Sequence, residues 1–378
     1  MNSIERHEAR YKKRLESRMT KKIENISKYN TFENVTNPEN LLNAFNKAQK
    51  GVSWKSSVQR YGLNRLSNIS NAIDKLDKGE DVRDGFVEFD ISERGKTRHI
   101  KSVSINERVI QKCLCDNVLV PILSKSLIYD NGASLKNKGF DFSIFRFKQH
   151  LRKYYSKNNS SNSGYILCMD YSKYFDGIIQ SILIKNANQY ISDIKTMKLL
   201  SDFITAFSDN DVSIGLGSQV SQIGALFYPN KIDHFIKEKL RCKFYGRYMD
   251  DSYIIHENKE FLQFCLNEIK KECLKLGIVI HEKKTKILNL KDNFVFLKGK
   301  FVLTDKGKVL QFPSKQSIVR IKRKLRKYKI LLENGKMLLS DIQNSYNSWR
   351  GSFIRRFDAH RILTFIDDYF HKLFFYNL

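Results

Sequence analysis

No uncharged apolar run in this 378-residue chain approaches the roughly 20 residues needed to cross a bilayer, so a transmembrane protein is excluded. Residues Met1 to Thr20 are charged throughout and have no apolar centre, so no secretory signal is expected. The six cysteines (Cys113, Cys115, Cys168, Cys242, Cys265 and Cys273) form no CxxC pair and no CxxC…HxxxH spacing. They sit mostly in apolar segments and read as reduced core thiols of a cytoplasmic protein. Acid is scarce as well: 40 aspartate plus glutamate stand against 67 lysine plus arginine, a formal charge of +27. The chain is nevertheless 41% hydrophobic and 12% aromatic, which separates it from disordered sequences. Its charge points to a polyanionic partner, nucleic acid before an anionic membrane surface. At roughly 150 residues per domain, the length allows two or three packed subdomains.

Residues Met1 to about Lys50 read as basic helices. Arg6, Arg10, Lys13, Lys21 and their neighbours alternate with Glu5, Glu8, Glu16 and Glu24, on a face that is either solvated or turned to RNA. From Gly85 the pattern becomes a hairpin: Phe86 to Ile91, a turn at Glu93-Arg94-Gly95-Lys96, and a return through Arg98, Ile100 and Val103. A helix capped by Asn106 is expected to run to about Leu123. After a polar loop over Lys157 to Gly164, the strand Tyr165 to Met169 meets Asp170, and a helix is expected from near Tyr174. Glycine-rich Ser213 to Gly217 leads into a helix through Val220 and Phe227. Next come Lys243 to Tyr248, the acids Asp250-Asp251, and Ser252 to Ile255, read as a hairpin with acids in its turn. An amphipathic helix from an Asn258 cap to Gly277, strands over Asn293 to Leu303 and Lys308 to Phe312, and helices after Pro313 complete the pattern.

Asp170 and the Asp250-Asp251 pair are carboxylates at strand ends in an otherwise cationic chain. Taken singly, each has a structural explanation, a helix N-cap or an Asx turn. Together they suit divalent metal. Hard Mg²⁺ takes oxygen ligands, one or two carboxylates per ion, and completes its shell with substrate phosphates and water. Two such ions about 3.5–4 Å apart serve in-line phosphoryl displacement.

Tyr248-Met249-Asp250-Asp251 between strands resembles the catalytic box of reverse transcriptases. The resemblance extends in order from about Arg94 to Gly299, through five motifs. Asp170-Tyr171-Ser172-Lys173-Tyr174-Phe175 is similar to the first metal-binding motif, and Gly215 to Gln222 to the glycine-serine motif at template and nucleotide. Lys283-Lys284-Thr285 resembles the motif with a basic residue near the triphosphate, and Phe294 to Gly299 the primer-grip hairpin. The resemblance implies an α+β right-hand polymerase: a basic N-terminal extension (1–50), fingers (51–164), an antiparallel-sheet palm backed by helices (165–312, with 211–230 at the fingers/palm junction) and a helical thumb (313–378). It implies Asp170, Asp250 and Asp251 as catalytic and metal-binding residues, two Mg²⁺ ions with Mn²⁺ as a substitute, and dNTP substrates.

The resemblance also assigns the nucleotide site: Phe175 as the ring that crowds a ribose 2′ carbon, Arg98 with Lys96 or Lys101 on the triphosphate, Gly217, Ser218 and Gln222 in the loop, and Lys284 as general acid or charge neutraliser. Lys283 and Lys286 compete for that last role. Tyr248, Met249, Phe296, Leu297 and Gly299 would face primer and template, joined by Lys322, Arg323 and Lys324 in a thumb segment whose Lys315 to Lys329 stretch contains no acid. Leu216 replaces the usual glutamine before the motif glycine, and Gln222 replaces a proline. With Tyr129 to Gly139, these features resemble bacterial retron-like, diversity-generating, unclassified and abortive-infection (defence-associated) groups. The implied template is a dedicated noncoding RNA and the implied role phage defence. Leu216 and the 18 tyrosines also permit template-independent or protein-primed synthesis. A nonenzymatic, maturase-like RNA binder is the alternative of another class. About 80 residues follow the primer grip, too few for a thumb plus a template-degrading domain. No membrane partner is expected, and a homo-oligomer is compatible with the relatives.

Overall fold

A computed structural model describes residues 27–93 and 95–375. They divide into two compact units, one of residues 27–139, 171–239 and 268–280, the other of residues 140–170, 240–267 and 281–375. Most of the expected charge-laced N-terminal helix, and Arg94 of the hairpin turn, lie outside the described residues. No helix among the described residues is long and apolar enough to cross a membrane.

After a short helix, Glu33–Thr36, the first unit has the helix Pro38–Ala48. Asn37 accepts from the Asn40 N–H and Pro38 takes the first turn, where its missing N–H has no partner to lose. Leu41, Ala44 and Phe45 are buried, so this part of the basic stretch carries a packed face. The hairpin follows as β1 (Phe86–Glu93) and β2 (Lys96–Val103), antiparallel from Phe86↔Val103 to Glu93↔Lys96. The next helix, Ile105–Leu114, is capped by Ser104, whose hydroxyl accepts from the Glu107 N–H. Asn106, the expected cap, instead donates its side-chain amide to Asp84. The helical course does run to Leu123, as expected, but not as one regular α-helix. A wider π-type turn, Cys115–Leu119, intervenes, because Pro121 has no N–H for the preceding turn and its ring crowds the carbonyl there.

After Asp170 the chain does not enter a helix at Tyr174. It makes one 3₁₀ turn, Phe175–Gly177, runs extended at Ile178 and Ile179, and begins its helix at Gln180. Tyr174 fixes this course by packing on Tyr171 (5.4 Å between ring centroids) and donating its hydroxyl to the Ala225 carbonyl. The helices Ile194–Thr205 and Gln219–Phe227 bury Leu200, Phe203, Val220 and Leu226 in the same unit.

The second unit is built on a four-stranded antiparallel sheet in the order β4-β5-β3-β6, from β3 (Tyr165–Met169), β4 (Phe244–Tyr248), β5 (Asp251–His256) and β6 (Lys286–Asn289). The helix Phe140–Lys157 covers one face. Its Phe147 is fully buried among Tyr253, Phe296 and Phe301, with ring centroids 4.6, 4.8 and 5.0 Å away. Each well-oriented ring pair contributes about 0.5–1.5 kcal/mol beyond area burial. A second sheet, β7-β8-β9, is formed by β7 (Phe294–Phe296), β8 (Gly299–Leu303) and β9 (Val309–Phe312). Thus Asn293 to Leu303 is not one strand. Leu297 and Lys298 both hold positive φ, 47° and 64°, making the tight primed turn that matches strand twist.

The three helices after Pro313 (Lys315–Glu333, Leu339–Arg356 and His360–Phe374) enclose a cluster with Leu325, Ile342, Tyr346, Ile366 and Phe370. The rings of Tyr346 and Phe370 stack at 4.0 Å. The helix Lys259–Leu274 begins in the second unit and ends in the first. Asn258 caps it, accepting from the Phe261 N–H.

Candidate active site

β3 and β5 are neighbours in antiparallel register, with Met169 opposite Ser252. One step further along that register Asp170 faces Asp251, so strand pairing alone brings two distant carboxylates to one end of the sheet. Tyr248 pairs with Asp251 across a two-residue turn, Met249-Asp250, and Met249 holds φ at 54°, a conformation unfavourable for a residue with a side chain. Beneath the turn lies Arg247, 1% exposed, whose guanidinium donates to the Met249 carbonyl at 3.0 Å. Sequence reasoning passed over Arg247, although a lone arginine in an apolar strand just before the acids was the available signal.

The Asp251 carboxyl is pushed up to about 7, by burial first and then by the Asp250 and Asp170 carboxylates, against the opposing pull of Lys284 and Lys298. Lys284 places its ammonium 2.6 Å from an Asp170 oxygen. The His281 N–H donates to the Asp170 carbonyl and ties the segment carrying Lys284 to the end of β3. A cavity of about 540 Å³ opens here, lined by Asp170, Asp251, Lys283, Lys284, Lys286 and Phe296 among others. Lys298, on the β7–β8 turn, acts on Asp251 and was not foreseen.

Among the described residues no three His, Cys, Asp or Glu side chains close on one point as a ready metal cage. Mg²⁺ does not require one, since one or two carboxylates suffice when substrate phosphates and water complete the shell. The donors here are all oxygen, and Asp251 is short of positive charge, so the residues present fit a hard divalent cation.

The first unit has its own cavity, about 630 Å³, which gathers Arg98, Phe175, Leu216, Gly217, Ser218 and Gln222. Backbone contact shapes it. The Lys101 N–H donates to the Leu216 carbonyl at 2.8 Å, and a Cβ on Gly217 would lie 2.4 Å from the Lys101 carbonyl oxygen, so only glycine fits. Ser218 accepts from the Ser221 N–H as the cap of Gln219–Phe227, and Gln222 donates to the Ser134 hydroxyl at 2.9 Å.

Lys96 and Lys101 are not among the residues lining this cavity. Lys96 is exposed near the hairpin tip. Lys101 is three residues after Arg98, on the opposite face of a strand whose side chains alternate; its ammonium donates to the Phe207 carbonyl at 3.3 Å and faces Glu88 at 3.6 Å. Lys284 belongs instead to the carboxylate end of the second unit. The lining also includes Arg108, Gln111 and Lys112, which sequence reasoning missed. Their (i, i+3, i+4) spacing on one helix face was the signal. Lys112 and Lys47 both reach Asp116, at 3.2 and 2.8 Å.

The remaining predicted residues divide by environment. Phe296 and Leu297 are buried, and a Cβ on Gly299 would press on the Phe301 ring; Phe296 also lines the carboxylate cavity. Tyr248 and Met249 are half-buried at the acid turn. Lys322 lies over the Phe365 and Tyr369 rings at 4.2 and 4.9 Å, Lys324 donates to Ser345, and Arg323 is exposed.

Residues 78–301 match the family model described as reverse transcriptase (RNA-dependent DNA polymerase). No curated protein matches the chain. Among solved structures, the chain is similar to apo telomerase from Candida tropicalis truncated from its C-terminal domain (14% identity, TM-score 0.47, covering 60% of this chain and 55% of that one). It is also similar to telomerase from Candida albicans in complex with a TWJ fragment of telomeric RNA (13% identity, TM-score 0.47, covering 67% and 51%). The chain spans about half the length of these two structures.

Proposed function

From the premise that the chain belongs to the reverse transcriptase (RNA-dependent DNA polymerase) family, we propose that it extends a 3′-hydroxyl with deoxynucleotides on an RNA template, with Asp170, Asp250 and Asp251 as its catalytic carboxylates. The observation that carries this assignment is the register of β3 and β5, which sets Asp170 opposite Asp251 beside Lys284. Asp170, Asp250 and Asp251 are the residues that would hold two Mg²⁺ ions, or Mn²⁺ in their place, whose chemistry is Lewis-acid stabilisation of charge developing on phosphate oxygens.

The chain's own groups have separable tasks. Arg98 offers a planar guanidinium to the triphosphate, where a fork of donors matches phosphate oxygens. The Phe175 ring in the same cavity excludes a ribose 2′-hydroxyl by volume. Lys284, an ammonium with three donors, neutralises phosphate charge and can pass a proton to departing pyrophosphate. Arg247 is a positioning residue that holds the Met249 carbonyl and with it the acid turn.

The proposal extends to a dedicated noncoding RNA template and a role in phage defence. Leu216, Gln222 and the Tyr129 to Gly139 segment support it through their resemblance to bacterial groups with those properties. A second reading, synthesis with little template instruction, is favoured by Leu216, an apolar side chain on the cavity wall where a glutamine would offer hydrogen bonds.

Purifying the protein with its bound nucleic acid, adding labelled deoxynucleotides and Mg²⁺, and sequencing RNA and product beside an Asp250→Asn/Asp251→Asn control tests both readings. DNA complementary to one co-purified RNA, absent from the control, is the expected result. Unmatched or homopolymeric DNA selects the second reading, and equal product from both proteins removes the aspartates from the site.

A further inference from the structure

The β4–β5 ladder has two ends. Tyr248↔Asp251 closes one, and Phe244↔Ile255 lies four residues away at the other, about 13 Å along the strands at ~3.3 Å per residue. At that second end is a cavity of about 230 Å³ whose lining includes Tyr154, Lys157, Arg241, Lys243, Phe244 and His256. Glu257 is the one acid in the lining, against three cations.

Lys157 and Lys243 are exposed on the wall of the same cavity, and Lys153, one helical turn before Lys157, adds a further positive charge. Accordingly, Lys157 is held below the ordinary lysine range, by the neighbouring Lys243 first and then by Lys153. An anionic oxygen set between Lys157 and Lys243 would accept from both, giving two charge-assisted hydrogen bonds where there was repulsion.

The walls beside these cations are aromatic. Tyr154 and Phe244 meet edge to face at 5.9 Å, and the His256 ring lies 4.2 Å from that of Phe261. Cations for a phosphate next to planar rings for a base form the combination by which proteins hold single-stranded nucleic acid. Glu257 adds an acceptor for a base amino group or a ribose hydroxyl.

We propose that this cavity is a second nucleic-acid contact, in which Lys157, Lys243 and Arg241 hold a phosphate of a single-stranded RNA segment and the Phe244 and His256 rings hold its base, at the end of the sheet remote from the carboxylates. The identity of the strand as RNA rests on the polymerase reading; the anion chemistry does not.

The test uses the full chain and a 30-nucleotide oligouridylate, with binding measured across a salt series. Removing the two lysines that share one phosphate in a Lys157→Ala/Lys243→Ala variant should make the slope of log K against log salt shallower by about 0.7, the value for one neutralised phosphate on a single strand. Affinity at low salt should fall at least tenfold, while the thermal midpoint of the RNA-free variant stays near that of wild type, since both side chains are exposed. Lys157→Arg/Lys243→Arg should bind as wild type. With 4-thiouridine in the RNA, ultraviolet cross-links on the wild-type protein should fall in the peptide containing Phe244 or His256. An unchanged slope, or cross-links confined to other peptides, overturns the proposal. Extension of a short primer–template should persist in the alanine variant, and an Asp250→Asn protein should keep the cross-link. Failure of this site is thereby distinguished from failure of the polymerase reading.

Discussion

The carboxylate end of the second unit and the cavity of the first are built by different means. Asp170 and Asp251 sit on paired strands of a four-stranded sheet whose far side is sealed by Phe147 and its ring neighbours. Arg98 rides on a two-stranded ribbon, a form that is marginal alone, and Val87 and Phe89 of that ribbon are 66% and 45% exposed. At the first site rigid strands hold like charges together against their repulsion. At the second, a backbone contact, Lys101 to Leu216, joins a hairpin to a loop and shapes a cavity with little charge conflict. The strand-borne site therefore trades stability for charge placement, and the loop-borne site trades rigidity for shape.

The largest expected effect is at Asp251. Asp251→Asn should lower extension by about a thousandfold, roughly 4 kcal/mol of barrier, yet raise the thermal midpoint of the protein in chelator. The sign follows from the carboxyl's folded value, about 7 against an ordinary 3.8. The folded state takes up the proton more readily than the unfolded state. The destabilisation by Asp251 is then full above pH 7 and fades as pH falls toward 4, so the gain in the variant should fade over the same window. A drop in midpoint at pH 8 would mean that Asp251 is a structural group and would break the contrast between the two regions.

Phe175→Ala should reduce discrimination against ribonucleotides by about tenfold to a hundredfold while leaving deoxynucleotide incorporation nearly intact. Single-nucleotide incorporation kinetics check it, and undiminished discrimination removes Phe175 as the steric gate. Arg98→Ala should raise the nucleotide KM by about tenfold to a hundredfold, the loss of one charge-assisted hydrogen bond of roughly 1.5–3 kcal/mol. Because the ribbon carries little else, the thermal midpoint should not move; a large shift would show the hairpin to be as structural as the sheet.

Neutralising Lys322, Arg323 and Lys324 together should have the smallest effect, visible only as weaker nucleic-acid binding at low salt. Since Lys322 is held on aromatic rings and Lys324 on Ser345, Arg323 alone should account for most of the change, which single variants in the same salt series would show.

Much of the second unit was legible in advance because strands with a buried face announce themselves. Tyr165 to Met169 is an apolar run that ends at Asp170, and Tyr253 to Ile255 is one that follows the Asp250-Asp251 pair. β6 escaped notice because Lys286–Asn289 is four residues long and half polar, as an edge strand is. The residue pattern alone hid the β7–β8 turn, which only the primer-grip resemblance suggested, because Leu297 and Lys298, neither of them glycine, adopt positive φ there. Ser104 displaced Asn106 as a cap because Asp84, distant in sequence, takes the Asn106 amide. The resemblance made Lys101 a helper of Arg98, but alternation along β2 turned it to the other face.

By itself the sequence determined the cationic character, the order of strands and helices, and the identity of the acids, since composition and short-range periodicity are local properties. Only the tertiary structure decided that Asp170 faces Asp251, that Lys284 sits on Asp170 rather than in the cavity with Arg98, and that Lys157 and Lys243 converge at the far end of the sheet. Those juxtapositions depend on strand register and on which faces pack, and side chains separated by many residues carry no trace of either until the chain has folded.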